Sequence, residues 1–407
     1  MSGHVMEECV VHGTLAAVLR LMGVVGMMPV RLVSLSGAFV VRYSFAKDVI
    51  ARLFYSCFCL LLLTWELVYL VPKILSKNNT SQKRLIFLLS IIGVIVRMAV
   101  IFFAVLKGYQ RTNNLCRNLN KIQKLNIEGV DDAAVANIEK RRFKLFIILL
   151  VMSPVIVIAE FIIGGERITH VKNFHFLIIR KNMYQFAYFV ILTLQAQFSF
   201  TILSVHTALQ AVNRRLGKLL TDFKKNQERS NERAHKTLRQ LATSYSTLCD
   251  VMRTLDKENG LIILLSFISM LVYAVQCIFF LVVFWSVNPF TNLPYTGIEL
   301  EKLNLNRIMQ CCHCLHIFIK IMFLLEPCQW TYNGMEVTRL FVTRLTHYTP
   351  TTSGPIVNEL EMFYRLVFTN IPPYSPFQLF TLRRSIILEL SGALTTWLLV
   401  VLRDKSP

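Results

Sequence analysis

The stretch that decides the fold is "LIILLSFISMLVYAVQCIFFLVVFW", Leu261 to Trp285, which contains no Asp, Glu, Lys or Arg. A helix crosses a bilayer's hydrocarbon core with about 20 apolar residues, and a soluble helix of this length would need a charged stripe for water. Six further runs on either side read the same way: Ile50 to Val71, Leu85 to Leu106, Leu145 to Ile163, Met183 to Val205, Ile308 to Leu325 and Ser385 to Leu402. The chain is 54% hydrophobic and only 17% charged, so these blocks are the rule rather than an exception. The expected fold is all-α: a polytopic membrane protein of seven transmembrane helices with a cytoplasmic N-terminus and helical cytoplasmic extensions.

The net charge of +20 would suit nucleic acid in a soluble chain. In a chain this apolar it fits basic loops facing anionic membrane lipid, so lipid is the expected partner and nucleic acid is not. Lys and Arg are more numerous in the N-terminal segment and in the second, fourth and sixth loops. That places the N-terminus inside. The sequons at Asn78 and Asn79 then fall in the first outer loop as glycosylation candidates. The opening residues carry Glu7 and Glu8 where a secretory signal needs basic ones, and Arg20 interrupts the apolar run. They read as a short amphipathic segment at the membrane surface.

This orientation divides the chain into a cytoplasmic N-terminal segment (1–48), helices one to six (49–327) with a cytoplasmic helical extension (206–260), a cytoplasmic linker with an inner helix (328–384), and the last helix with a short extracellular tail (385–407). Outer loops are short, so an extracellular ligand has to be received within the bundle. Leu238, Leu241, Tyr245, Leu248, Met252 and Leu255 alternate in steps of three and four. This is the seam of a packed helix that runs straight into the fifth span, either against its own chain or against another subunit. "HTALQAVNRRLGKLL", His206 to Leu220, likewise prolongs the fourth span. "NIPPYSP", Asn370 to Pro376, separates an inner helix, Asn358 to Thr369, from the last span.

Ionisable residues inside spans are expensive and mark function or pairing. Arg97, Glu160, Lys320 and Glu389 are such residues, and depth suggests that Lys320 and Glu389 pair across helices six and seven. No catalytic motif is present: zinc-spaced His-Glu, a glycine-rich phosphate loop and a G-x-S-x-G elbow are all missing, so no enzyme and no cofactor are expected. "CCHC", Cys311 to Cys314, spreads its cysteines around a helix and is not read as a metal site. In the outer half, Tyr184, Gln185 and Tyr188 of span four, Tyr273 and Gln276 of span five, and Gln310 and His313 of span six give the aromatic and polar mixture of a small-molecule pocket.

The end of the chain, "SGALTTWLLVVLRD", adds a family resemblance. Thr396 and Trp397 are followed by five aliphatic residues, Leu398 to Leu402. This is similar to the terminal motif of the insect gustatory receptors, which has Thr-Tyr, five hydrophobic residues, then Gln-Phe. Trp397 stands for the tyrosine, and Arg403-Asp404 replaces the Gln-Phe ending. "PFQLFTLRRSIILELSGALTTWLL", "LMGVVGMMPVRL" and "LQAVNRRLGKLL" resemble other parts of the same family.

The resemblance implies a ligand-gated non-selective cation channel in the plasma membrane of chemosensory neurons. It responds to small-molecule tastants, bitter compounds among them, and assembles as a homo- or heterotetramer around a central pore. The pore and gate would be formed by Thr395, Thr396, Trp397, Leu399, Val400, Leu402 and Arg403. A Leu-Val face can close by dewetting, and Ser391, Gly392 and Ala393 allow close helix approach. Four copies of Arg403 at a pore mouth would repel cations, so the chain is expected to work with partner subunits. The alternatives are a G-protein-coupled receptor, which needs the opposite N-terminal side, and a transporter, which needs matched repeats.

Overall fold

The computed structural model describes residues 8–35, 38–75, 81–125, 132–168, 174–225, 231–286, 297–348, 354–369, 374–376 and 379–403. In chain order its elements are β1 (Cys9–Val11), α1 (Gly13–Val25), β2 (Val30–Leu35), β3 (Ala38–Tyr43), α2 (Phe45–Leu75), α3 (Ser81–Leu106), α4 (Gly108–Lys124), α5 (Asp132–Ile168), α6 (Phe174–Lys225), α7 (Asn231–Ser286), α8 (Gly297–Tyr348), α9 (Pro355–Thr369) and α10 (Ser385–Arg403). Six of them, α2, α3, α5, α6, α7 and α8, are long and apolar enough to cross a membrane. They are helical because hydrocarbon offers no partner to a backbone N–H or C=O, so the segment must bond its own. The fold is an all-α polytopic membrane bundle. The apolar α10 has 19 residues, which at about 1.5 Å each makes a rod of roughly 28 Å.

α6 is the central post. Of its apolar window 83% is buried, against 22% for α5 and 28% for α2, whose outward faces are left for lipid. α6, α7 and α8 continue well past any bilayer thickness and pack together as an extended stalk. The seam residues Leu238, Leu241, Tyr245, Leu248, Met252 and Leu255 are all buried there against α6, α8 and α9. The seam is therefore used inside one chain rather than between subunits. Between α6 and α8, Gly334 leaves no room for a methyl group: a Cβ would lie 2.9 Å from Leu209 Cδ2. Asn213 on α6 donates to the Gly334 carbonyl at 2.7 Å and accepts from Thr338 Oγ1 at 2.6 Å, so this contact is both tight and hydrogen-bonded.

The N-terminal region departs from the expected surface-lying amphipathic segment. α1 buries Leu15, Ala16, Val18, Leu19 and Met22 in a core it shares with α6 and α5. The antiparallel sheet, in the order β1-β3-β2, runs beside it. Val30 and Val41 point inward while Arg31 and Arg42 alternate outward, the period-two pattern of a half-buried sheet. The sheet arises because "VRLVSL" and "AFVVRY" are rich in β-branched residues and are separated by Ser-Gly. At the end of α1, Gly26 adopts φ 78°, a left-handed cap that its missing Cβ permits.

Several expected loops prove to be helical. α4 occupies much of the second loop, and its Arg111 is buried, donating to Gln197 Oε1 at 2.5 Å and to the Ala104 carbonyl at 3.3 Å. Burial lowers the Arg111 guanidinium to about 10, which still leaves it charged at neutral pH. α5 and α6 extend to Ile168 and from Phe174, so Arg180 and Lys181 lie on a helix rather than in the outer loop.

Candidate functional site

One cavity of about 280 Å³ is enclosed by α3, α5, α6, α7 and α8, near the end of the bundle where α6 begins. Its wall is set by helix period. On α8, His313, His316 and Lys320 recur at steps of three and four and share a face. On α6, Arg180, Tyr184 and Tyr188 recur at steps of four, and on α7 Tyr273 and Gln276 are three apart. All of these residues line the cavity.

Hydrogen bonds tie these five helices together at the wall. Tyr273 Oη lies 2.7 Å from His313 Nδ1, and His313 Nε2 lies 2.7 Å from Glu160 Oε1. A carboxylate only accepts, so Nε2 carries a hydrogen, and in the neutral imidazole Nδ1 then accepts from the tyrosine. Glu160 is completed by Lys181 Nζ at 2.9 Å. Tyr188 Oη bonds His316 Nε2. Ser153 Oγ donates to Gln185 Oε1 at 2.6 Å, and Gln276 Nε2 donates to Ser90 Oγ at 3.1 Å.

Charge is concentrated on the same wall. Arg180 grips Glu66 in a two-toothed ion pair, through Nε at 2.5 Å and Nη2 at 2.9 Å, with its guanidinium 4.6 Å from the Tyr69 ring. Glu66 is only 1% exposed, so this pair is well shielded. The Arg97 guanidinium carbon lies 5.1 Å from the centre of the Tyr184 ring, and Lys320 Nζ lies 4.0 Å from that of Tyr188. Both are cation–π distances.

Six of the seven residues expected to form a pocket therefore surround one space: Tyr184, Gln185, Tyr188, Tyr273, Gln276 and His313. Gln310, one turn before His313, does not line it. Arg97, Glu160 and Lys320, expected to mark function or pairing, line the same space. The Lys320–Glu389 pair does not form: Lys320 turns inward over Tyr188, while Glu389 is exposed on α10. Sequence reasoning missed Arg180 and Lys181 as wall residues. Their spacing of four from Tyr184 and Gln185 was the available signal. The "CCHC" run splits by helix face, with Cys311 exposed and His313 in the cavity wall.

A wider cavity of about 820 Å³ lies between α5, α6 and α8 in the stalk. Its most buried cation, Arg142, is engaged by Glu326 at 2.8 Å and by the Phe323 carbonyl at 2.8 Å, and it stacks 4.6 Å from the Trp330 ring.

α10 leaves the bundle early. Ile386 is buried and Ile387 and Leu390 pack beside it, but Leu388, Ser391, Gly392, Ala393, Thr395 and Thr396 are exposed. A Cβ on Gly392 would meet nothing within 4 Å. Thr395 Oγ1 donates to the Ser391 carbonyl at 2.8 Å and Thr396 Oγ1 to that of Gly392 at 3.0 Å, so both hydroxyls are satisfied one turn back. Trp397, Leu399, Val400, Leu402 and Arg403 continue the helix, but their side chains lie outside the described residues, as do Asn78 and Asn79 altogether.

The fold and site are those of a multi-helix membrane bundle with a polar-aromatic cavity and an apolar helix, α10, exposed at Ser391 to Ala393, Thr395 and Thr396. The sequence matches the family model described as 7tm Chemosensory receptor over residues 15–402, and the chain belongs to that family. Among solved structures it is similar to the insect olfactory receptor OR5 from Machilis hrabei. With the form in complex with eugenol the TM-score is 0.66 at 11% identity, covering 96% of this chain and 98% of that one. With a second structure of the same receptor the TM-score is 0.64 at 10% identity, covering 96% and 99%. None of the curated proteins matches this sequence.

Proposed function

We propose that this chain is a subunit of a ligand-gated, non-selective cation channel of the gustatory type, which opens when a small molecule occupies the cavity between α3, α5, α6, α7 and α8. The observation that carries the channel reading is α10. Beyond its second turn Ser391, Gly392, Ala393, Thr395 and Thr396 are exposed, and a Cβ on Gly392 would meet nothing within 4 Å. In a membrane such a face calls for other copies, because Ser, Gly and Ala allow backbones to approach closely. Four α10 helices around an axis make a pore whose Leu-Val segment closes by dewetting.

The gustatory assignment is supported by Thr396 and Trp397 followed by the five-residue aliphatic spacer. The ligand reading is supported by the aromatic and polar lining of the cavity, and by a receptor of similar fold being solved with eugenol. The reading includes a cytoplasmic N-terminus and stalk, glycosylation at Asn78 or Asn79, a homo- or heterotetramer, and the plasma membrane of a chemosensory neuron. The test is whole-cell recording from cells expressing the chain with candidate co-subunits during application of a tastant panel. The expected result is a cation current that Ser269→Phe, which fills the cavity, abolishes. An intracellular C-terminus, found by tagging it and probing intact cells, would defeat the reading.

A further inference from the structure

The four cationic side chains on the cavity wall are not equally provided for. Arg180 has Glu66, and Lys181 has Glu160. Arg97 and Lys320 have no carboxylate within 4.0 Å among the described residues. Lys320 is 5% exposed, and Arg97 Nε is inaccessible and bonded to nothing. His316, 3% exposed, adds an unpartnered Nδ1 to the same wall.

Each of the two cations lies beside a tyrosine ring of α6, Tyr184 for Arg97 and Tyr188 for Lys320. These rings are one helical turn apart, about 6 Å along the axis. Arg97 from α3 and Lys320 from α8 thus converge on one stretch of aromatic wall. Burying two like charges without a counter-ion in contact is unfavourable, and the faces of two phenol rings compensate only in part. An anion between them supplies the missing charge and accepts from both.

We infer that the ligand of this cavity is a small aromatic carboxylate, its carboxylate held between Arg97 and Lys320 and its ring against the tyrosines. This rests on the reading of the cavity as the ligand site. The size agrees, because about 280 Å³ is at the small end of ligand pockets. A neutral ligand would fill the same volume and leave both cations unanswered.

The experiment uses the full chain, purified in lipid nanodiscs at neutral pH, and two probe pairs: benzoate with benzamide, and 3-phenylpropanoate with its amide. Binding is read by calorimetry. The carboxylate of at least one pair is expected to bind about tenfold tighter than its amide, as a charge-assisted bond warrants. Arg97→Gln and Lys320→Gln should each remove most of that preference. Lys320→Arg, which keeps charge, should retain it and guards against a folding artefact. Equal or tighter binding of the amides, or no binding by any of the four probes, overturns the anion proposal. If Ser269→Phe still abolishes tastant currents in that case, the cavity stands as the ligand site. A carboxylate that binds equally well to wild type, Ser269→Phe and Arg97→Gln overturns both.

Discussion

Replacing Glu66 tests whether the first and fourth apolar helices are locked by charge. Its side chain is 1% exposed and both oxygens are occupied, by Arg180 Nε at 2.5 Å and Nη2 at 2.9 Å. Glu66→Gln presents an amide N–H₂ to one of those donors and leaves a half-buried guanidinium without its counter-ion. Removing one partner of such a pair costs about 3–5 kcal/mol. Arg180→Met should cost a similar amount, because it strands the carboxylate. Glu66→Leu together with Arg180→Met removes both desolvation penalties, and the double variant should lie within about 1 kcal/mol of wild type. The assay is the melting midpoint of detergent-solubilised protein, followed by the monodisperse fraction after heating. For a chain of this size each single variant should lower it by about 3–6 °C, and the double should recover most of the loss. Singles that cost under about 2 °C, or a double equal to their sum, would refute the reasoning, since additivity means the two groups do not act as a pair.

Gly334→Val should push Leu209 aside and part α6 from α8, lowering the same midpoint by an amount equivalent to about 1–3 kcal/mol, with Leu209→Ala restoring part of it. Asn213→Ala leaves Thr338 Oγ1 and the Gly334 carbonyl one partner fewer and should cost about 1–3 kcal/mol in a midpoint measurement. Arg403→Gln should raise cation currents from the chain expressed alone, by removing one positive charge per subunit at the proposed pore mouth. Robust currents from the unaltered chain alone would show that Arg403 is no barrier. Ser391→Cys or Ala393→Cys should cross-link subunits under mild oxidation. Monomer only at both positions would mean that the exposed face of α10 does not meet another copy.

The spans were legible because hydrocarbon imposes one rule on every residue of a segment, and Leu261 to Trp285 obeys it without exception. The stalk was legible for a similar reason: Leu238 to Leu255 keeps a strict seam, and all six seam residues are buried. The N-terminal sheet was not, because β1 has only three residues and its pairing with β3 joins Cys9 to Val41, a contact that no local period encodes. The cavity was half legible. Tyr184, Tyr188, Tyr273 and His313 stand out as polar-aromatic positions in apolar helices. Which carboxylate each cation meets depends on helix rotation and tilt instead. Depth put Lys320 near Glu389, but α8 turns it toward α6, and α5 brings Glu160 to Lys181.

The cavity and α10 are joined by a short length of one helix. α8 presents His313, His316 and Lys320 to the cavity, and less than two turns beyond Lys320 its Glu326 Oε1 lies 3.6 Å from Arg384 Nη2. One turn further, Gln329 Oε1 accepts from the Arg384 backbone N–H at 3.2 Å, and the Arg383 guanidinium sits 3.5 Å from the Tyr332 ring centre. Arg383 and Arg384 directly precede α10. α7 repeats the arrangement, with Tyr273 and Gln276 in the cavity wall and Phe267 packed 5.3 Å from Phe380. An axial shift or rotation of α8 that improves its contacts to a ligand therefore moves the polar groups on which the start of α10 rests. A ligand could bias such a movement only by its difference in affinity between the states that the movement connects. Lys320 is well placed to create such a difference, because a charge-assisted bond depends steeply on the distance and angle of its donor.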